Sequence, residues 1–105
     1  MPCLFCEIAA KEKSADIVWE DDDIVVFKDI YPKAPVHLLV VPKKHIESVN
    51  HAAEADEALL GKIVLTAKRV AEKLGFAEKG YKLEFHVGRG GGQLVDHIHM
   101  HILSW

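Results

Sequence analysis

The sequence predicts an α+β fold: a five-stranded, mostly antiparallel sheet with one long and one short helix. Three observations carry this reading. Five short segments rich in β-branched and aromatic residues punctuate the 105 residues. One long stretch has helical apolar spacing, and the connections between segments are short. No repeat, low-complexity run or linker interrupts the chain, so residues 1–105 read as a single domain of ordinary length.

From the N-terminus, Leu4 to about Lys11 suits a short helix. Ile17–Trp19 and Ile24–Lys28 flank the acidic turn Asp21-Asp22-Asp23, a hairpin signal. In DIYPKAP, Pro32 and Pro35 cannot donate to a ladder and mark a turn. Val36–Val41 is a strongly apolar strand closed by Pro42. From about Ala53 to Leu74 a helix carries Leu59, Leu60, Ile63, Val64, Ala67, Val70, Ala71 and Leu74 on one face, and Gly75 ends it. Tyr81–Val87 is a strand, Gly88–Gly92 a glycine loop, and Leu94–Leu103 the last strand.

Half the residues are apolar and 28% charged, enough for a core and a soluble surface. Sixteen acids against 13 bases, a net charge of -3, argue against a nucleic-acid partner. No apolar run approaches the roughly 18 residues of a membrane span, so no membrane partner is expected. MPCLFCEIAAKEK has no basic leader region and carries Glu7 within its apolar stretch, which predicts no signal peptide and a cytoplasmic location. Without secretion, Cys3 and Cys6 are poor candidates for a disulfide framework. With no strand before them they do not suit a thioredoxin-like redox pair either. Half of a zinc site fits better, if two more ligands exist.

Histidine is the unusual residue: seven in 105, three of them in the last nine positions. In DHIHMHIL, His97, His99 and His101 alternate with Ile98, Met100 and Ile102. On a strand this puts three imidazoles on one face at intervals of roughly 6.6 Å and the apolar trio on the other. A His-rich exposed sheet face, a metal cluster with His97, His99 and His101 as ligands, and a histidine-centred catalytic site are the three readings; the cost of clustering titratable rings favours the last.

The run His97-Ile98-His99-Met100-His101-Ile102-Leu103 resembles the signature of the histidine triad (HIT) family. FKDIYPKAPVHLLVVPKKH (Phe27–His45), GYKLEFHVGRGGGQLVDH (Gly80–His97) and the N-terminal CLFCEI are similar to its Hint-like branch, so the resemblance spans almost the whole chain. It implies a HIT-like fold with a five-stranded antiparallel sheet, a homodimer, and a purine nucleotide or nucleotide conjugate as partner. The implied activity is that of a nucleotide hydrolase or phosphoramidase acting at the α-phosphate through a covalent nucleotidyl-histidine, with no catalytic metal. Dinucleoside polyphosphate hydrolysis and a non-catalytic, zinc-containing nucleotide-binding module are the alternatives.

By resemblance His99 is the nucleophile, with His101 and His37 supporting it. Imidazole suits the role, being nucleophilic when neutral and a good leaving group when cationic. The unperturbed histidine value then predicts loss of activity below roughly pH 6.5. The resemblance places Phe5, Ile8, Phe27 and Ile30 around the base and Asp29 on the ribose hydroxyls. Gly92, Gln93 and position 94 belong to the phosphate loop, where consecutive glycines let backbone N–H groups approach an anion. Cys3, Cys6, His45 and His97 match the positions that bind structural zinc, a two-thiolate, two-imidazole set with no open position for catalysis. His51 has no counterpart and reads as surface. Two positions depart from the pattern: His86 stands where asparagine is usual, and Leu94 where a serine is common. The C-terminal tail usual in relatives is expected to be missing after Trp105, which predicts a more open leaving-group pocket.

Overall fold

The computed structural model describes residues 3–105. Its organising element is the strand β3 (Val36–Pro42), flanked on both sides by antiparallel partners. β1 (Ile17–Glu20) and β2 (Ile24–Lys28) form the expected hairpin, in which Asp21 accepts backbone N–H bonds from Asp23 and Ile24 at 2.8 and 2.9 Å. With β4 (Lys82–Phe85) and β5 (Met100–Ser104) the sheet order is β1-β2-β3-β5-β4, and every pairing is antiparallel. Among the described residues, no helix is long and apolar enough to cross a membrane.

The side-chain period of two sorts β3 onto two faces. Leu38 and Val40 join Ile24, Val26, Met100 and Ile102 against the long helix α2 (Glu57–Leu74), which contributes Ile63, Ala67, Val70 and Ala71. Leu39 and Val41 join Val25 and Phe27 on the opposite face under the short helix α1 (Leu4–Ala9), through Phe5 and Ile8. α2 ends at Gly75, whose φ of 85° continues past the helix in the left-handed region.

Several expected boundaries shift, among them β4, which covers Lys82–Phe85 rather than Tyr81–Val87, and β1, which extends to Glu20. α1 stops at Ala9 rather than about Lys11, and Pro42 is the last residue of β3, paired with Ile24, rather than lying beyond the strand. α2 begins at Glu57 because the preceding residues fold as 3-10 turns at Val49–His51 and Glu54–Asp56; the Asp56 carboxylate takes the Ala53 N–H at 2.9 Å. The last strand starts at Met100, not Leu94. His97 N–H bonds Val95 C=O at 2.9 Å and Ile98 N–H bonds Ile46 C=O at 2.6 Å, so residues 95–98 bend across the end of β3 instead of joining a ladder. The predicted apolar face of α2 is also off at its margins. Val64 and Leu74 are exposed, whereas Thr66 is fully buried.

Candidate active site

Because α1 covers only part of its face of the sheet, a cleft of about 650 Å³ opens beside it. His37 from β3, His101 from β5 and His99 just before β5 line it, with His86 beyond the end of β4. Phe5, Ile8 and Phe27, each about 5% exposed or less, form an apolar part of its wall. Ile30, by contrast, is 79% exposed at the rim.

Hydrogen-bond partners assign the tautomers. His99 Nδ1 lies 2.7 Å from the His97 carbonyl oxygen, which can only accept. Nδ1 therefore carries the proton, and in the neutral ring Nε2 keeps its lone pair. The Lys33 backbone N–H donates to His37 Nδ1 at 3.1 Å, so the His37 proton sits on Nε2. From there it is donated to His101 Nδ1 at 2.9 Å, with an Asp29 carboxylate oxygen 3.4 Å from the same nitrogen. The His101 proton is left on Nε2. Asp29, His37 and His101 thus offer three donor atoms close together.

Burial is the leading cause that holds His37 and His99 below the ordinary histidine range. His101 is pushed down to about 4, by burial first and then by the neighbouring rings of His99, His86 and His37. The free-histidine value of about 6.5 therefore does not govern these rings, and the acid limit expected from it moves down.

The three histidines do not form the evenly spaced ladder expected of a continuous strand. His99 and His101 ring centroids are 5.1 Å apart, but His97 belongs to a different cluster. Its Nε2 donates to the Pro42 carbonyl at 2.7 Å, leaving Nδ1 as a lone-pair donor. That nitrogen lies 3.3 Å from Cys3 Sγ, 3.5 Å from Cys6 Sγ and 3.1 Å from His45 Nδ1; Cys6 Sγ and His45 Nδ1 are 3.3 Å apart. A tetrahedral zinc with bonds of about 2.3 Å to sulfur and 2.0–2.1 Å to nitrogen separates its ligand atoms by roughly 3.3–3.8 Å. The donor set is close to that spacing. The His97 bond to a backbone carbonyl is the outer contact that ligating histidines usually make. With no cation, burial and then the neighbouring Cys3 push the Cys6 thiol up to about 11, so the pocket favours a thiolate only when a positive charge is supplied.

The glycine loop differs from the expected anion cradle. It folds as a 3-10 turn, Arg89–Gly91, whose amides bond inward: Gly91 and Gln93 N–H to Gly88 C=O, and Gly92 N–H to Arg89 C=O. Gln93 is buried, and its side chain takes the Gly88 N–H at 2.9 Å and donates to Glu47 and Val95 carbonyls at 2.6 and 2.9 Å. It braces the turn instead of lining the cleft. Gly92 and the highly exposed Leu94 do line it. Asp29 also lines it, but one carboxylate oxygen already takes the Tyr31 N–H at 2.8 Å, a turn-forming role, while the other faces His37.

One residue escaped the sequence reading. Glu84 is directly opposite His101 across the β4–β5 pair and reaches His86 Nε2 at 3.3 Å. Its signal was the spacing Glu84-x-His86, which puts both side chains on one strand face. His51 lies away from the cleft, its ring between Ser48 Oγ at 2.8 Å and Glu47 at 3.2 Å.

The chain is similar over nearly its whole length to known proteins. A family model described as scavenger mRNA decapping enzyme C-term binding matches residues 2–105. A purine nucleoside phosphoramidase of Escherichia coli (strain K12) is 43% identical over 96% of this chain and 85% of that protein. The crystal structure of a HIT family hydrolase from Legionella pneumophila Philadelphia 1 superposes with a TM-score of 0.96 at 50% identity, covering 98% of this chain and 92% of that one. A zinc-bound histidine triad family protein from Mycobacterium smegmatis aligns with a TM-score of 0.84 at 28% identity, over 99% and 75% of the two chains.

Proposed function

The chain belongs to the histidine triad family, and from that membership we propose that it is a nucleotide phosphoramidase, hydrolysing purine nucleotide conjugates at the α-phosphate through His99. The observation that carries the reading is the His99 tautomer. Its Nδ1 proton is held by the His97 carbonyl at 2.7 Å, which leaves Nε2 unprotonated in the same cleft as His37 and His101.

Attack by Nε2 on the α-phosphorus forms an N–P bond and expels the conjugated group. The His99 ring becomes a cation while bonded to phosphorus, and the fixed His97 carbonyl stabilises it through the Nδ1–H. Water then attacks the same phosphorus and returns His99 to the neutral form. His37 fixes the His101 tautomer, so that His101 Nε2–H is available to a phosphoryl oxygen. Phe5, Ile8 and Phe27 supply an apolar slot for the base; Asp29 supplies an acceptor for the ribose. The name of the Escherichia coli relative supports the substrate class.

Cys3, Cys6, His45 and His97 are proposed as the ligands of one structural zinc. Bound there, the ion neutralises the thiolates and fastens α1 to the segment that carries the triad. The zinc-bound mycobacterial relative supports this assignment.

The test is hydrolysis of adenosine 5′-phosphoramidate by the zinc-loaded protein and by His99→Ala. The variant is expected to lose at least about 10³-fold in kcat/KM, as removal of a covalent nucleophile does. Turnover unchanged in His99→Ala refutes the proposal.

A further inference from the structure

Attack by His99 leaves one proton unaccounted for. An amine expelled from phosphorus departs as a poor anion unless it is protonated as the bond breaks. His101 is ill suited to give that proton. Its Nδ1 already accepts from His37, and burial among other rings keeps it neutral, with a pKa of about 4. The cleft holds another ring. His86 stacks on His101 with centroids 4.4 Å apart and planes inclined by 30°. Its Nε2 lies 3.3 Å from a Glu84 carboxylate oxygen. Glu84 is held below the usual carboxylate range, chiefly by this hydrogen bond and next through Lys82, so an anionic carboxylate faces the His86 Nε2–H. With Nε2 turned to Glu84, Nδ1 borders Gly92, where a side-chain Cβ would sit 3.9 Å away. His86 and Gly92 both line the cleft.

We propose that His86 is the general acid for the leaving group, with Glu84 as its positioning residue, an inference that rests on His99 being the nucleophile. As Nε2 of His99 bonds to phosphorus, the P–N bond breaks and its electron pair stays on the departing nitrogen. That nitrogen takes the proton from His86 Nδ1. His86 becomes neutral and keeps its Nε2–H on Glu84. In the second half, water attacks phosphorus, the His99 N–P bond breaks, and His86 Nδ1 takes the proton from the water. Both rings return to their starting states.

The experiment compares two substrates on the zinc-loaded full chain. One is an adenosine 5′-phosphoramidate of an alkylamine, which needs a proton to leave. The other is adenosine 5′-(4-nitrophenyl phosphate), which does not. His86→Asn is expected to lower kcat/KM, which reads only the half-reaction that expels the leaving group, roughly 100-fold on the phosphoramidate, the lower range for general acid catalysis, and to change kcat/KM for the aryl ester less than about threefold. Glu84→Gln should lose in the same selective sense by a smaller factor. Equal losses on both substrates in His86→Asn and in the second variant His86→Gln, both with native thermal unfolding, overturn the proposal; so does no loss on either substrate. His99→Ala keeps the two readings separable. If it abolishes both reactions while the His86 variants show no leaving-group preference, only the acid assignment fails. If it spares both, the nucleophile assignment fails.

Discussion

At the scale of single residues, function here is a matter of which nitrogen holds a proton. The His97 carbonyl, the Lys33 amide and the Pro42 carbonyl each choose a tautomer, for His99, His37 and His97 respectively. All are backbone groups, so the choice is made by the fold and no pattern of side chains announces it. The alternation in DHIHMHIL made the histidines visible, and family resemblance assigned their roles; their protonation required coordinates. The same holds for titration. His101 carries an ordinary value of 6.5 in the unfolded chain and about 4 in the fold. As pH falls from about 6.5 to about 4, the unfolded chain takes up this proton first, so stability drops across that window and the contribution is lost by its lower end. His37 is lowered too and acts in the same direction. Urea unfolding from neutral pH to pH about 4 should give a falling stability whose slope is shallower in His101→Gln. A slope identical in variant and parent would contradict the burial argument.

At the scale of elements, the sheet was legible because each strand has a β-branched run bounded by turn chemistry. The limits of the last strand were not. Leu94–Met100 looks like strand in its alternation, yet its backbone bonds go to Val95 and Ile46. Alternation reports which side chains are buried, and a bent segment over a sheet edge can have the same pattern. The glycine loop misled for a related reason. Consecutive glycines permit an anion cradle, but they equally permit a tight turn that uses up its own amides, and Gln93 tips the balance to the turn. Gln93→Ala should therefore destabilise the protein by about 1–3 kcal/mol through the unpaired Gly88 N–H and two carbonyls, measured by denaturant unfolding. At Gly92, φ is 85°, so Gly92→Ala should cost about 1 kcal/mol from backbone strain alone. A neutral effect at both positions would show that the turn is not held in this form.

At the scale of the molecule, two clusters of histidines share one sheet face and are joined through α1. Phe5 sits 4.9 Å from the His99 ring and 6.0 Å from the His97 ring, centroid to centroid, while Cys6 lies in the same short helix and Cys3 caps it. Six residues of helix cannot hold themselves in place. The zinc proposed at Cys3, Cys6, His45 and His97 would clamp that helix and so keep an apolar wall against the proposed nucleophile. Elemental analysis should find roughly one zinc per chain, and chelation should lower the Tm and raise KM for nucleotide substrates more than it lowers kcat. Cys6→Ser should do the same. Loss of kcat with KM unchanged would instead place the metal in the chemistry.

The central claim is that His99 Nε2 becomes bonded to phosphorus during turnover. Rapid acid-free quenching of protein mixed with an adenosine phosphoramidate, followed by peptide mass spectrometry, tests it directly. The account predicts an adenylyl adduct on the peptide that contains His99, absent in His99→Ala and discharged by continued hydrolysis. Full turnover with no adduct on that peptide at any quench time, together with an active His99→Ala, would contradict it.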